Sequence, residues 1–233
     1  MPAEWLEPSA PLPGVGVSLD RLVVYRGIAD NLPAASSVPN GCLAQVTDFR
    51  NTWWYSDGTY WRPAGRQVVR DWWNPTWPTG GSISWSIRDS NQRLNLATQF
   101  SLPSKLLAPG TELRSMTLAR KLGTTSTGAV QVNVRATPFT AETDIAGSFA
   151  FGAATASTGT VWVSNDGRAF PTVNNRLAFH LAWMGNTAQS PSAAIAESVI
   201  NPFMGALYFC ASAQLASGTS DTWEYVRDTL EVA

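Results

Sequence analysis

Hydrophobic and polar residues alternate along most of the chain. Val130, Val132 and Val134 alternate with Gln131, Asn133 and Arg135. Leu177, Phe179, Leu181 and Trp183 alternate with Ala178, His180 and Ala182. Leu94, Leu96, Phe100 and Leu102 follow the same rhythm. A period of two is the mark of strands with one face buried. Further strands are predicted at 113–120, 145–151, 159–163, 206–215 and 223–232. Pro109-Gly110, Gly123-Thr124, Asn165-Asp166-Gly167 and Ser217-Gly218 read as turns between them. The only helical candidate is 191–199.

The earlier part of the chain has shorter runs. Strands are predicted at 22–25, 42–46 (launched by Asn40-Gly41), 52–55, 59–63 and 66–70. Ser56-Asp57-Gly58 between two aromatic runs is a hairpin signal, because Asp and Gly tolerate positive φ. The predicted fold is all-β: a small N-terminal Trp-rich β-hairpin module followed by an antiparallel, jelly-roll-like β-sandwich. Its divisions are an extended Pro-rich docking arm (1–20), the small module (21–70), a Pro/Gly/Trp linker (71–81) and the sandwich (82–233). In the arm, Pro2, Pro8, Pro11 and Pro13 exclude a regular helix, and Trp5, Leu6 and Leu12 are its candidate docking contacts.

Composition narrows the function. Only 14% of residues are charged, against about 25% in typical proteins. That suits a chain that buries surface in an assembly, where each desolvated charge needs a partner. The formal net charge is −1 and no basic block occurs, so no nucleic-acid partner is expected. No stretch approaches the ~18 apolar residues of a membrane span, so no membrane insertion is expected. The start of the chain has no cationic region followed by an apolar one, so no secretory leader is expected either.

Candidate chemistry is sparse. His180 is the only histidine, which leaves no basis for a metal site or a nucleophile–histidine pair, and it is read as structural. Cys42 and Cys210 read as small buried hydrophobes. Paired carboxylates are the one catalytic device the composition permits. The candidates are Asp57, Asp89, Asp144, Asp166, Asp221, Glu224 and Asp228, with Asp57 and Asp166 better explained as turn residues. No nucleotide-binding glycine motif occurs. The expectation is therefore no catalytic residue, no metal and no cofactor.

Aromatic residues are the informative feature. Seven of the eleven Trp lie between residues 53 and 85. Trp and Tyr anchor protein interfaces, and their faces stack on sugars. Trp53, Trp54, Tyr60, Trp61, Trp72, Trp73 and Trp77 are the interface or glycan-contact candidates.

These residues also carry a resemblance. The stretch Gly41-Cys42-Leu43-Ala44-Gln45-Val46-Thr47-Asp48, then Thr52-Trp53-Trp54-Tyr55-Ser56-Asp57-Gly58-Thr59-Tyr60-Trp61-Arg62-Pro63, resembles a module of tailed-bacteriophage fibre and other virion proteins. The resemblance covers about the first third of the chain well and the rest loosely. It implies a non-enzymatic virion component, made in the host cytoplasm. The partners it implies are further copies of the chain, commonly as a homotrimer, and other phage structural proteins of the capsid, tail or baseplate. A host surface glycan is a further implied partner. With no heptad run and no repeat, a short tail- or head-fibre-like appendage is expected, with a capsid decoration protein as the rival reading and a soluble lectin as the alternative from another class.

Overall fold

The structure is a computed structural model. It describes residues 24–73, 84–85, 92–156, 158–185, 194–216 and 221–233. The arm, with Trp5, Leu6 and Leu12, and most of the linker, with Trp77, lie outside the described residues. So does Asp89.

The described residues form an all-β structure, with only three-residue 3-10 turns as helical structure. The first four strands form one small sheet in the order β1-β2-β3-β4: β1 Val24–Gly27, β2 Leu43–Val46, β3 Thr52–Ser56 and β4 Trp61–Pro63. β1 pairs with β2 in parallel, and the crossover between them holds 3-10 turns at 29–31 and 35–37. The β3–β4 loop is organised by Asp57. Its Oδ1 accepts the backbone N–H groups of Thr59 (2.9 Å) and Tyr60 (2.7 Å), while Gly58 takes φ of 90°. Asp57 is thus the turn residue expected.

The remaining strands build a two-sheet sandwich. One sheet runs β14-β13-β12-β9-β16-β5, with the short β6 (Ser84–Trp85) also on β16. Its strands are β5 Gln67–Trp73, β9 Leu113–Leu122, β12 Val161–Pro171, β13 Leu177–Gly185, β14 Ala194–Glu197 and β16 Thr222–Val232. The other runs β11-β10-β15, with β7 (Arg93–Leu94) and β8 (Phe100–Leu102) both on β15. There β10 is Gly128–Arg135, β11 Phe149–Ala156 and β15 Leu207–Leu215. Taking β7 and β8 as one position, the two sheets read β5-β16-β9-β12 and β7/8-β15-β10-β11. That is jelly-roll strand order, two Greek keys closing face to face. The β13–β14 hairpin is an addition beyond β12.

Several local expectations are corrected. The helix expected at 191–199 is replaced by strand β14, which pairs with β13. Asn165-Asp166-Gly167 is no turn: β12 runs through it, and Asp166 stands opposite Met116 with its carboxylate on Arg114 (2.7 Å). The strand expected at 145–151 begins only at Phe149, because Gly147 holds φ of 72° in a turn. The strand expected at 66–70 joins the sandwich, not the small sheet. It continues through Asp71, Trp72 and Trp73, where a linker was expected.

Small sheet and sandwich share one hydrophobic core. Tyr25, Cys42, Trp54 and Trp61 belong to the same buried cluster as Leu102, Leu106, Val132, Leu207, Phe209 and Leu230. Burying a whole Trp removes about 150–250 Å² from water, an upper estimate of about 4–6 kcal/mol each for Trp54 and Trp61. Phe49 meets Phe100 edge-on, with ring centres 5.6 Å apart.

Candidate functional site

The aromatic run on β3 is sorted by its own pleat. Thr52, Trp54 and Ser56 point inward and are buried, while Trp53 is 40% and Tyr55 39% exposed. The buried hydroxyls have work: Thr52 Oγ1 accepts the Trp54 indole N–H (2.9 Å), and Ser56 Oγ donates to Ala35 O (2.9 Å). Trp61 is also enclosed, its indole N–H on Pro33 O at 2.9 Å. Trp54 and Trp61 therefore present no face to another molecule, contrary to their place among the contact candidates.

Trp53 and Tyr55 share the outer face of the module. The backbone of Trp53 is clamped by one side chain: its N–H donates to Gln67 Oε1 (2.5 Å), and Gln67 Nε2 donates to its carbonyl. A Gln amide reproduces the donor–acceptor pair of a neighbouring strand. That fixes the base of the exposed indole without covering it.

β5 divides the next pair. Trp72 stands opposite Asp228 and packs on Tyr225, with ring centres 5.6 Å apart, inside the sandwich. Trp73 stands opposite Arg227, 49% exposed, with the guanidinium 4.6 Å from its ring centre. Arg227 also bonds Asp71 (3.0 Å), and Arg50 of the β2–β3 turn approaches Asp71 at 4.0 Å. Arg50, Asp71, Arg227 and Trp73 thus make one exposed polar–aromatic strip from the module to the sandwich edge. Tyr60 is half-buried, tilted against Phe203 at 6.2 Å, with Arg62 5.7 Å from its ring centre.

The described candidate carboxylates are all drawn to cations. Asp57 pairs with Arg62 (2.8 Å), Asp144 with Arg135 (2.5 Å), Asp166 with Arg114 (2.7 Å), Glu224 with Arg120 (2.6 Å) and Asp228 with Arg70 (3.0 Å). Asp221 pairs with the wholly buried Lys121 at 2.9 Å and also accepts Thr125 Oγ1–H and the Ser126 N–H. Burial raises the Asp221 pKa, but Lys121 and these hydrogen bonds outweigh it and hold the carboxyl at about 2. Asp228 moves the other way: burial outweighs Arg70 and pushes it up to about 6.

Both cysteines are buried, as expected. Burial raises both thiols, Cys210 to about 12, which removes them from thiolate chemistry near neutrality. His180 lies on β13, and its side chain is outside the described residues. Among the described residues no three His, Cys, Asp or Glu gather as metal ligands, and no helix is long and apolar enough to cross a membrane.

Comparison with protein-family models, with curated proteins and with solved structures returned no match. The functional reading therefore rests on the residues themselves. The sequence signal for the exposed set was the aromatic run. It did not reveal Gln67, Arg50 or Arg227, which reach the strip from distant parts of the chain.

Proposed function

We propose that this chain is a non-enzymatic structural protein of a tailed-phage particle: a short, homotrimeric, fibre-like appendage. It attaches through its N-terminal region and offers Trp53 and Tyr55 to a host-surface glycan. The observation that carries this reading is the union of the Trp-rich hairpin module with a jelly roll through one core, the module's outer face left aromatic. An indole on a braced strand is a rigid stacking surface, which loses little entropy when a sugar ring settles on it. The pairing of every described candidate carboxylate with a cation supports a binding rather than a hydrolytic role.

Quantitative mass spectrometry of purified particles tests this directly. The appendage reading expects the chain in particles at tens of copies or fewer. Hundreds of copies would indicate capsid decoration instead. A monomer with specific glycan affinity that never co-sediments with particles would make it a soluble lectin. Hydrolysis of a host polysaccharide, abolished by one carboxylate substitution, would overturn the non-enzymatic assignment.

A further inference from the structure

Ion-paired arginines in the sandwich are matched by acids. Arg66, Arg114 and Arg168 share Glu112, Asp166 and Glu231. Arg70 has Asp228 and Arg120 has Glu224. The strip between the module and the sandwich edge breaks this balance. There Arg50 and Arg227 divide one carboxylate, Asp71, at 4.0 and 3.0 Å, and pair with no other acid among the described residues. Both stay open to solvent, with side chains 54% and 41% exposed. Arg227 uses its Nε–H on Asp71, and its terminal N–H groups have no partner among the described residues.

Both cations are held in place. The Arg227 guanidinium lies over the Trp73 indole, 4.6 Å from the ring centre. Stacking and the Asp71 bond together orient its plane. Arg50 sits in the β2–β3 turn, where Phe49 O accepts the Thr52 N–H and Arg50 and Asn51 both take φ of 58°. Turn chemistry alone favours Asn, Asp or Gly at such positions. The guanidinium is what Arg50 adds. An oriented guanidinium matches a planar carboxylate, which it binds through paired N–H donors at small entropic cost. Trp73, 49% exposed, offers an indole surface beside it for a ring.

We infer that this strip binds an acidic saccharide, its carboxylate on Arg227 and Arg50 and its ring against Trp73. An acidic peptide would satisfy the cations but make no use of the exposed rings of Trp53, Tyr55 and Trp73. The inference names the class of glycan. It rests on the glycan-contact part of the proposed function, not on the virion assignment.

Calorimetric titration of the full chain at low salt tests it. The probes are oligogalacturonate and oligosialate, each beside its neutral methyl ester, and oligoglutamate. At least one acidic sugar should bind about tenfold or more tightly than its ester. Arg50→Asn with Arg227→Gln should abolish that preference. Asn suits the turn, and an unchanged unfolding midpoint would show that the fold is kept. Equal affinity for acid and ester, or a preference that survives the double variant, would overturn the inference. Esters that bind as well as the acids, and lose affinity only in Trp53→Ser with Tyr55→Ser, would leave the glycan reading standing while the acidic class falls. Binding of no saccharide would sink both. Oligoglutamate bound as tightly as the acidic sugars would assign the strip to an acidic protein, which also refutes it.

Discussion

In the four-stranded module the largest buried side chains are Trp54 and Trp61, each with its indole N–H on an oxygen of the same module. The jelly roll also buries a charged pair: Lys121 and Asp221, at 0% and 1% side-chain exposure. The contrast follows from size and topology. A sheet of short strands has few inward positions, so each must carry a large apolar body. The jelly roll has ample apolar core, and its inter-strand loops carry backbone polar groups that need partners. Lys121 reaches Gly123 O and Gly159 O, and Asp221 collects donors of Thr125 and Ser126. One ion pair thus ties two loops to the ends of β9 and β16. Gly123 is required there, since a Cβ at its position would fall 2.1 Å from Asp221 Oδ1.

The largest expected effect comes from breaking that pair. Asp221→Ala strands a lysine with no exposed surface and orphans the loop donors, costing about 3–5 kcal/mol in denaturant unfolding. A loss below about 1 kcal/mol would mean the loops find other partners. The wild-type pH profile gives a second readout. The folded pKa of Asp221 is depressed to about 2, below the unfolded value of about 4. Its stabilisation is therefore complete above about pH 4 and is lost as pH falls toward 2. Asp221→Ala should flatten that acid limb.

The module's counterpart is smaller. Trp61→Phe keeps an aromatic ring but removes the N–H on Pro33 O and some volume, for an expected cost of about 1–2 kcal/mol. Its more telling property is cooperativity. Module and sandwich share a core, so Trp61→Phe should lower the midpoint of one transition for the whole chain. A separate early transition, seen by calorimetry, would show that the two regions fold independently.

These contrasts also mark what could be read beforehand. The β10 and β13 strands were legible because hydrophobic residues alternate with polar or small ones along them. Asp166 was misread because Asn-Asp-Gly has turn chemistry; its place in β12 is held by cross-strand pairing with Arg114, which local sequence cannot show. The 194–197 strand hid in small residues of no clear period. Lys121 and Asp221 are a hundred residues apart and become neighbours only when β9 pairs with β16. On β3 the sequence announced two alternating sets without saying which faced in. Each set carries a Trp, and the set with Trp54 is the buried one, its hydroxyls and indole N–H satisfied by hydrogen bonds.

That last point gives the smallest expected effect on stability and the sharpest one on function. Trp53→Ser with Tyr55→Ser removes side chains about 40% exposed on a strand whose backbone is paired on both sides. Surface changes of this kind shift stability by about 0.5 kcal/mol or less each. Trp53's backbone remains clamped by Gln67, so the fold should persist. On the proposed reading of a particle appendage whose outer face stacks on a glycan, adsorption of particles to host cells should fall about tenfold or more, at about 1–3 kcal/mol per lost aromatic contact. Unchanged adsorption with unchanged stability would strip the module's outer face of its binding role. A large loss of stability would instead show that the exposed aromatics belong to a subunit interface, where copies of the chain bury them.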